Sequence, residues 1–286
     1  MQRIEQSIKP LVTIGIPCYN VAKTLELSLK SVLAQSYTNF ELIITDDGST
    51  DDTIEIVKKF NDERIILISD QQNKGISYRL NQQIDLAQGD YFLRMDGDDI
   101  MFPNRVKDQI VFLVNHPEID VLSSQAVVID ENNNIIGFRK CDQIPQKPDD
   151  AMIGSPILHP TVAGKIEFFR KYHYDEDLCG VEDRDLWSRA LVDSVFYELQ
   201  RPLLFYRDTQ ILRRKTYLSR LKQGRKQLWR RKNIYNNKVK VYFSILIAFV
   251  KSLLALCNLN GFIIVKRNAN PIPTGYEDIL KNIING

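Results

Sequence analysis

The sequence is poor in the residues that staple small folds or hold soft metals. Its 286 residues include four cysteines, Cys18, Cys141, Cys179 and Cys257, widely spaced and without a CxxC pair. That spacing supplies neither a disulfide framework nor a zinc site, and it fits a reducing compartment. The three histidines, His116, His159 and His173, are equally scattered. There is no internal repeat and no low-complexity tract. The N-terminal stretch "MQRIEQSIKPLVTIGIPCYN" has a short apolar run broken by Pro17 and no small-residue cleavage site after it, so it is not a signal peptide. The chain is therefore expected to stay in the cytosol or to reach a membrane from the cytosolic side.

What is present is an ordinary globular composition with an uneven charge. Hydrophobic residues make up 44% and charged residues 26%, which leaves room for a sizeable core and argues against wholesale disorder. The length suits one large α/β domain plus an appendage, or two small domains. The formal net charge is only +2, yet residues 1–200 hold 20 basic and 33 acidic side chains, while residues 201–240 hold 14 basic and 1 acidic. An acidic body followed by a strongly basic segment points to an anionic surface as partner.

Along the first 120 residues, short β-branched runs alternate with stretches of helical spacing. "LVTIGIP", "FELIITDD", "RIILIS" and "YFLRMD" read as buried strands. Between them Leu25, Leu29, Val32 and Leu33, then Ile54, Ile56, Val57 and Phe60, then Ile76, Leu80, Ile84 and Ala87, fall on single helical faces. A further helix follows Pro103, with Val106, Ile110, Leu113 and Val114 inward. This alternation predicts a mostly parallel, Rossmann-like sheet with helices on both faces. Ligands of such sheets bind beyond the carboxyl ends of the strands. Two acid clusters, Asp46-Asp47 and Asp96-Gly97-Asp98-Asp99, follow strands and should share that edge. Past residue 120, "DVLSSQAVVID" and "NIIGFRK" read as strands, "VEDRDLWSRALV" as a helix and "PLLFYR" as a last strand.

The cluster at Asp96–Asp99 leaves two readings, a solvated turn or a site for a hard cation. An EF-hand is excluded, because "DGDDIMFPNRVK" lacks the later ligands and the closing glutamate. Mg²⁺ or Mn²⁺ held by one or two carboxylates keeps positions open for water and phosphate oxygens. Asp46-Asp47-Gly48-Ser49 resembles a strand-to-helix cap, with Ser49 or Thr50 available to cap the next helix. Beside a metal cluster, a carboxylate there also suits a base N–H or a ribose hydroxyl. Pro17-Cys18-Tyr19-Asn20 ends the neighbouring strand, and the Tyr19 ring suits a base face.

In order and spacing, "VTIGIPCYN", "SVLAQSYTNFELIITDDGSTDDT", "NKGISYRLN", "AQGDYFLRMDGDD", "HPTV" and "VEDRDLWSR" resemble a family-2 glycosyltransferase of GT-A fold, over about residues 11–207. The resemblance implies an inverting transfer of a sugar from a nucleotide-diphosphate donor, a UDP-sugar by default, with Mn²⁺ or Mg²⁺ as cofactor. It implies Pro17, Tyr19 and Asn20 around the nucleoside and Asp47, beside Asp46, on the base. It further implies Asp96 near ribose and diphosphate, Asp98 as metal ligand, and Asp183 as catalytic base with Glu182 next to it. Arg79, one position out from the family's usual arginine, is the candidate phosphate or base contact, and His159 a candidate facing the acceptor. Arg94 reads as more structural. A histidine usual after the last strand is replaced by Asp208 and Thr209, and the processive Gln-x-x-Arg-Trp motif is absent, so a single addition is expected. A sugar-nucleotide nucleotidyltransferase would carry a Gly-rich, basic loop after the first strand, and "PCYNVAKT" is not one. A non-catalytic binding module would have lost the aspartates that are present here.

The expected organisation is a glycosyltransferase domain over 1–207, with a nucleotide-binding half over about 1–120 and an acceptor half over about 121–207. A basic and apolar helical region follows over 208–286. No nucleic-acid module accompanies the basic segment. The apolar run 241–265 is interrupted by Lys251 and broken by Asn258-Leu259-Asn260-Gly261, which disfavours a membrane span. Two readings remain: interfacial helices bound to an anionic membrane through residues 208–265, or a helical pair packed on the body. The first suits a lipid-linked or cell-surface glycan as acceptor and a place on the inner face of the plasma membrane.

Overall fold

The computed structural model describes residues 9–141, 143–152, 157–208, 214–256, 270–272 and 274–285. Nine strands form one sheet in the order β3-β2-β1-β4-β8-β6-β9-β5, with β7 paired to β6. The first four are β1 (Val12–Cys18), β2 (Phe40–Asp46), β3 (Ile65–Ser69) and β4 (Tyr91–Arg94). All their mutual pairings are parallel, as the alternation with helices requires. Beyond β4 the sheet becomes mixed. β8 (Ala163–Lys165) runs antiparallel to β4 and to β6 (Val121–Ile129). β9 (Phe196–Arg207) is parallel to β6, while β5 (Ile100–Met101) and β7 (Ile135–Arg139) add antiparallel edges.

Both faces of the sheet are covered, and side-chain alternation on the strands decides which helices cover which face. Val12, Ile14, Ile16 and Leu93 bury against α1 (Ala22–Leu33), α2 (Thr53–Lys58) and α4 (Arg105–Asn115). Phe92, one residue from Leu93, turns the other way. It meets α3 (Ile76–Leu86), α5 (Ile166–Lys171) and α6 (Glu182–Ala190) in a second core that contains Trp187. Gly15 permits this packing: a Cβ there would lie 2.6 Å from the Phe92 ring and 2.5 Å from Gln83. Val114, expected inward, is 47% exposed at the end of α4. No Ser49 or Thr50 cap forms on α2; Asp51 accepts from the Thr53 N–H instead, at 3.1 Å.

The C-terminal region is helical where described: α7 (Arg214–Arg230), α8 (Lys238–Leu256) and α9 (Tyr276–Asn285). α9 buries Leu280 beside Phe102 and Phe205. α7 lies on α6, with Arg231 just beyond its end paired to Asp185 at 2.7 Å and to Asp175 at 2.6 Å. Arg230 reaches Asp177 at 2.9 Å, and Lys226 donates to the Asp177 carbonyl at 2.9 Å. Lys226, Arg230 and Arg231 of the basic segment thus answer the acidic body. The expected break at Asn258–Gly261 lies outside the described residues.

Candidate active site

The carboxyl ends of β1, β2 and β4 build one edge. After β1, the chain turns at Asn20 in the left-handed region (φ 53), which asparagine tolerates. Asn20 laces this turn to the one after β2: its N–H donates to Ser49 Oγ at 2.9 Å, and its Oδ1 accepts from the Thr50 N–H at 2.8 Å. Tyr19 stays 51% exposed at the rim, while Pro17 is half-buried at the end of β1. Asp46 is buried and accepts from the Gly48 and Ser49 N–H groups and the Ser69 hydroxyl, so it shapes the turn. Gly48 sits at φ +75, and a Cβ would lie 2.9 Å from the backbone of Gln72.

Asp47 is buried too. Its carboxylate accepts from the N–H groups of Lys74 (2.8 Å) and Gly75 (3.0 Å) and from Arg79 Nε (3.0 Å). Arg79 departs from its expected place at a phosphate or base. It is 0% exposed, and its guanidinium is committed to Asp47, Asp70 and the Gln72 carbonyl. A side chain with no surface acts on a ligand only through Asp47.

The second acid cluster is compact. Carboxylate oxygens of Asp96, Asp98 and Asp99 lie within 4.8 Å of one another. Burial, and then repulsion from Asp96, push Asp98 up to about 6; burial, and then Asp98, push Asp99 well above the usual carboxylate range. Asp99 Oδ1 accepts from the Arg207 N–H at 2.8 Å, while its Oδ2 is buried without a partner. Crowded, partly desolvated carboxylates with an orphaned oxygen fit a divalent cation. The cluster sits against the nucleotide edge: Cys18 is buried among Asp46, Asp96 and Asp98, and a Cβ on Gly97 would lie 3.1 Å from its Sγ.

Glu182 and Asp183 open α6. Asp183 is half-buried, with Oδ1 accepting from the Arg184 N–H at 2.7 Å. Glu182 is buried with Oε2 unpartnered; burial and the charge of Asp183 push it up to about 7. His159 also departs from expectation. Rather than facing an acceptor, it is buried, with Nε2 2.7 Å from the Tyr174 hydroxyl and its ring edge-on to Trp187. Burial, and then Arg94, hold its pKa well below the ordinary value.

Arg94, read from sequence as more structural, lies against the acid cluster. It pairs with Asp96, and its charge also acts on Asp99, Tyr174 and Glu182, while Nε and Nη1 remain buried and without hydrogen-bond partners. Arg105 donates from Nη2 to the Arg94 carbonyl at 2.7 Å, and Arg207 donates from Nε to the Asp98 carbonyl at 2.8 Å. The DGDD turn is therefore backed by three arginines from β4, α4 and β9. Nothing in local spacing marks them; an arginine inside an apolar strand was the one available signal.

The fold is that of GT-A glycosyltransferases. S. aureus TarS 1–349 in complex with UDP-GlcNAc superposes with a TM-score of 0.62 at 19% identity, covering 95% of this chain and 79% of that one. The mannosyltransferase PcManGT from Pyrobaculum calidifontis, in complex with GDP-Man and Mn²⁺, gives 0.62 at 16% identity over 98% and 81%. In sequence, a profile of Glycosyl transferase family 2 matches residues 13–175. EpsE of Bacillus subtilis, itself named a glycosyltransferase only provisionally, is 34% identical over 218 residues, 73% of this chain and 77% of that one. WfaP of Escherichia coli, a UDP-Glc:alpha-D-GlcNAc-diphosphoundecaprenol beta-1,3-glucosyltransferase, is 40% identical over 103 residues, 36% and 41% of the two chains. The chain belongs to the family-2 glycosyltransferases.

Proposed function

We propose that this chain moves a sugar from a UDP-sugar to a hydroxyl of a lipid-linked glycan, with inversion, in one displacement. The observation that carries the reading is the compact Asp96–Asp98–Asp99 cluster beyond the end of β4, with Arg94 paired to Asp96 and near enough to Glu182 for its charge to act there. Inversion requires a base on one side of the anomeric carbon and the departing diphosphate on the other. Asp183 takes the proton of the acceptor hydroxyl, whose oxygen forms the new bond to the anomeric carbon as the bond to the UDP oxygen breaks. Pro17, Tyr19 and Asn20 hold the nucleoside, with Asp47 and Asp46 setting the turn beneath it. Arg79 fixes Asp47. Asp98 would hold Mn²⁺ or Mg²⁺, which when bound supplies positive charge against the leaving diphosphate, with Asp96 beside the ribose and diphosphate. Glu182 shapes the acceptor side beside the base.

The acceptor class is suggested by WfaP, whose own acceptor is a diphosphoundecaprenol-linked sugar. The basic and apolar stretch 208–265 supports a peripheral position on an anionic membrane, at the cytosolic face, in building a surface polysaccharide. No helix among the described residues is long and apolar enough to cross a membrane. The test is release of UDP from a panel of UDP-sugars with Mn²⁺ or Mg²⁺ and a lipid-diphosphate-linked sugar. Asp183→Asn should abolish transfer while leaving UDP affinity nearly unchanged; full activity in that variant removes Asp183 from the mechanism.

A further inference from the structure

α8 is apolar on both of its faces, and the body covers only one. Val241 and Ser244 are buried and Ile245 packs inward, against Met152, Leu228 and Tyr235. The other side exposes Val239, Tyr242, Phe243, Leu246, Phe249 and Leu253, between 48% and 79% each. Their spacing of three and four places them on one stripe of the helix. Single exposed apolar residues are ordinary, but a continuous stripe of this length on a soluble surface marks a contact.

We infer that this stripe is where the protein enters a membrane, lying along an anionic leaflet with α8 in the plane of the interface. The inference rests on the membrane-facing reading above and narrows it from residues 208–265 to one helix face. Charge selects the occupant. No aspartate or glutamate occurs between Asp208 and Glu277. Over residues 214–256 every charged side chain is a lysine or an arginine, and a second copy of this region has no carboxylate to answer them. Anionic headgroups do answer them. Lys238 and Lys240 are exposed at the start of the helix, with their ammonium groups on the carbonyls of Lys232, Tyr235 and Asp149, and Lys251 is half-buried on the side of Ser244.

The same geometry says that apolar insertion, more than the basic helix, carries the contact. On α7 and just beyond it, Lys226, Arg230 and Arg231 are already engaged by Asp175, Asp177 and Asp185. Lys232 lies over the Trp229 ring. Since α7 is bonded to α6 and packs on α8, a membrane-bound α8 holds the Glu182–Asp183 end of α6 at a fixed height above the lipid.

The full chain should co-sediment with vesicles of phosphatidylcholine and phosphatidylglycerol, and high salt should weaken this only modestly. Phe243→Glu with Leu246→Glu, and independently Phe249→Glu, should lower partitioning by about tenfold or more. Stabilisation by UDP with Mn²⁺ in each variant shows that the fold and donor site survive. Loss of that stabilisation in the wild type as well would count against the transferase reading alone. Wild-type binding that salt abolishes, binding unchanged in both variants, no vesicle binding at all, or a wild-type dimer that the substitutions dissociate would each overturn the inference.

Discussion

Glu182 and Arg79 show how far single residues in this site depend on their surroundings. Burial, and then Asp183, raise Glu182 from its ordinary 4.5 to about 7. Between those values the folded chain binds a proton that the unfolded chain has released, so stability falls as pH rises through that window. Below it both states are protonated and the contribution is fully present. Glu182→Gln cannot ionise, so its advantage over the wild type should be near zero at about pH 4.5 and largest at about pH 8, read from urea melts at the two values. Arg79→Ala should cost about 3–5 kcal/mol, because it leaves the buried Asp47 carboxylate without its counter-ion, held only by the Lys74 and Gly75 N–H groups. The same variant should weaken UDP binding, since the turn carrying Asp47 loses its anchor. Both acid clusters were legible in the sequence, since each is a short run at a strand end. The burial of Arg79 and His159 was not, because it is set by packing between distant segments: Asp47 lies 32 residues from Arg79 and Tyr174 15 residues from His159.

At the scale of elements, legibility followed length. Strands of four or more residues with apolar runs stood out, as did helices with a full apolar face. β5 has 2 residues and β8 has 3, too few for any periodicity, and only their neighbours in the sheet define them. β9 begins at Phe196, six residues before the apolar run that revealed it, because its first half alternates with exposed positions. α7 was visible as basic, yet its role was hidden: a charge run does not say which of its charges the body has claimed. Arg231→Ala should cost about 1.5–3 kcal/mol by removing charged hydrogen bonds to Asp175 and Asp185. Its effect on activity should exceed that of Lys222→Ala on the exposed side of the same helix, checked by comparing turnover at equal folded fractions.

Taken whole, the molecule is an acidic sheet domain tied to a basic hairpin, and the near-neutral total records that pairing rather than an absence of charge. A chain ended after Arg207 loses the cations beside Asp175, Asp177 and Asp185 and the Leu228–Tyr235–Val241 packing on Met152. It should melt below the full chain at low salt, with the gap narrowing as salt screens the carboxylates left behind. Thermal scans of both lengths across a salt series check this. The clasp between α6 and α7 has a consequence for grafting between relatives. A transplanted segment carrying "VEDRDLWSR" without the helix that answers its acids would arrive electrically incomplete, so any chimera meant to redirect acceptor choice must exchange the two helices as a single cassette.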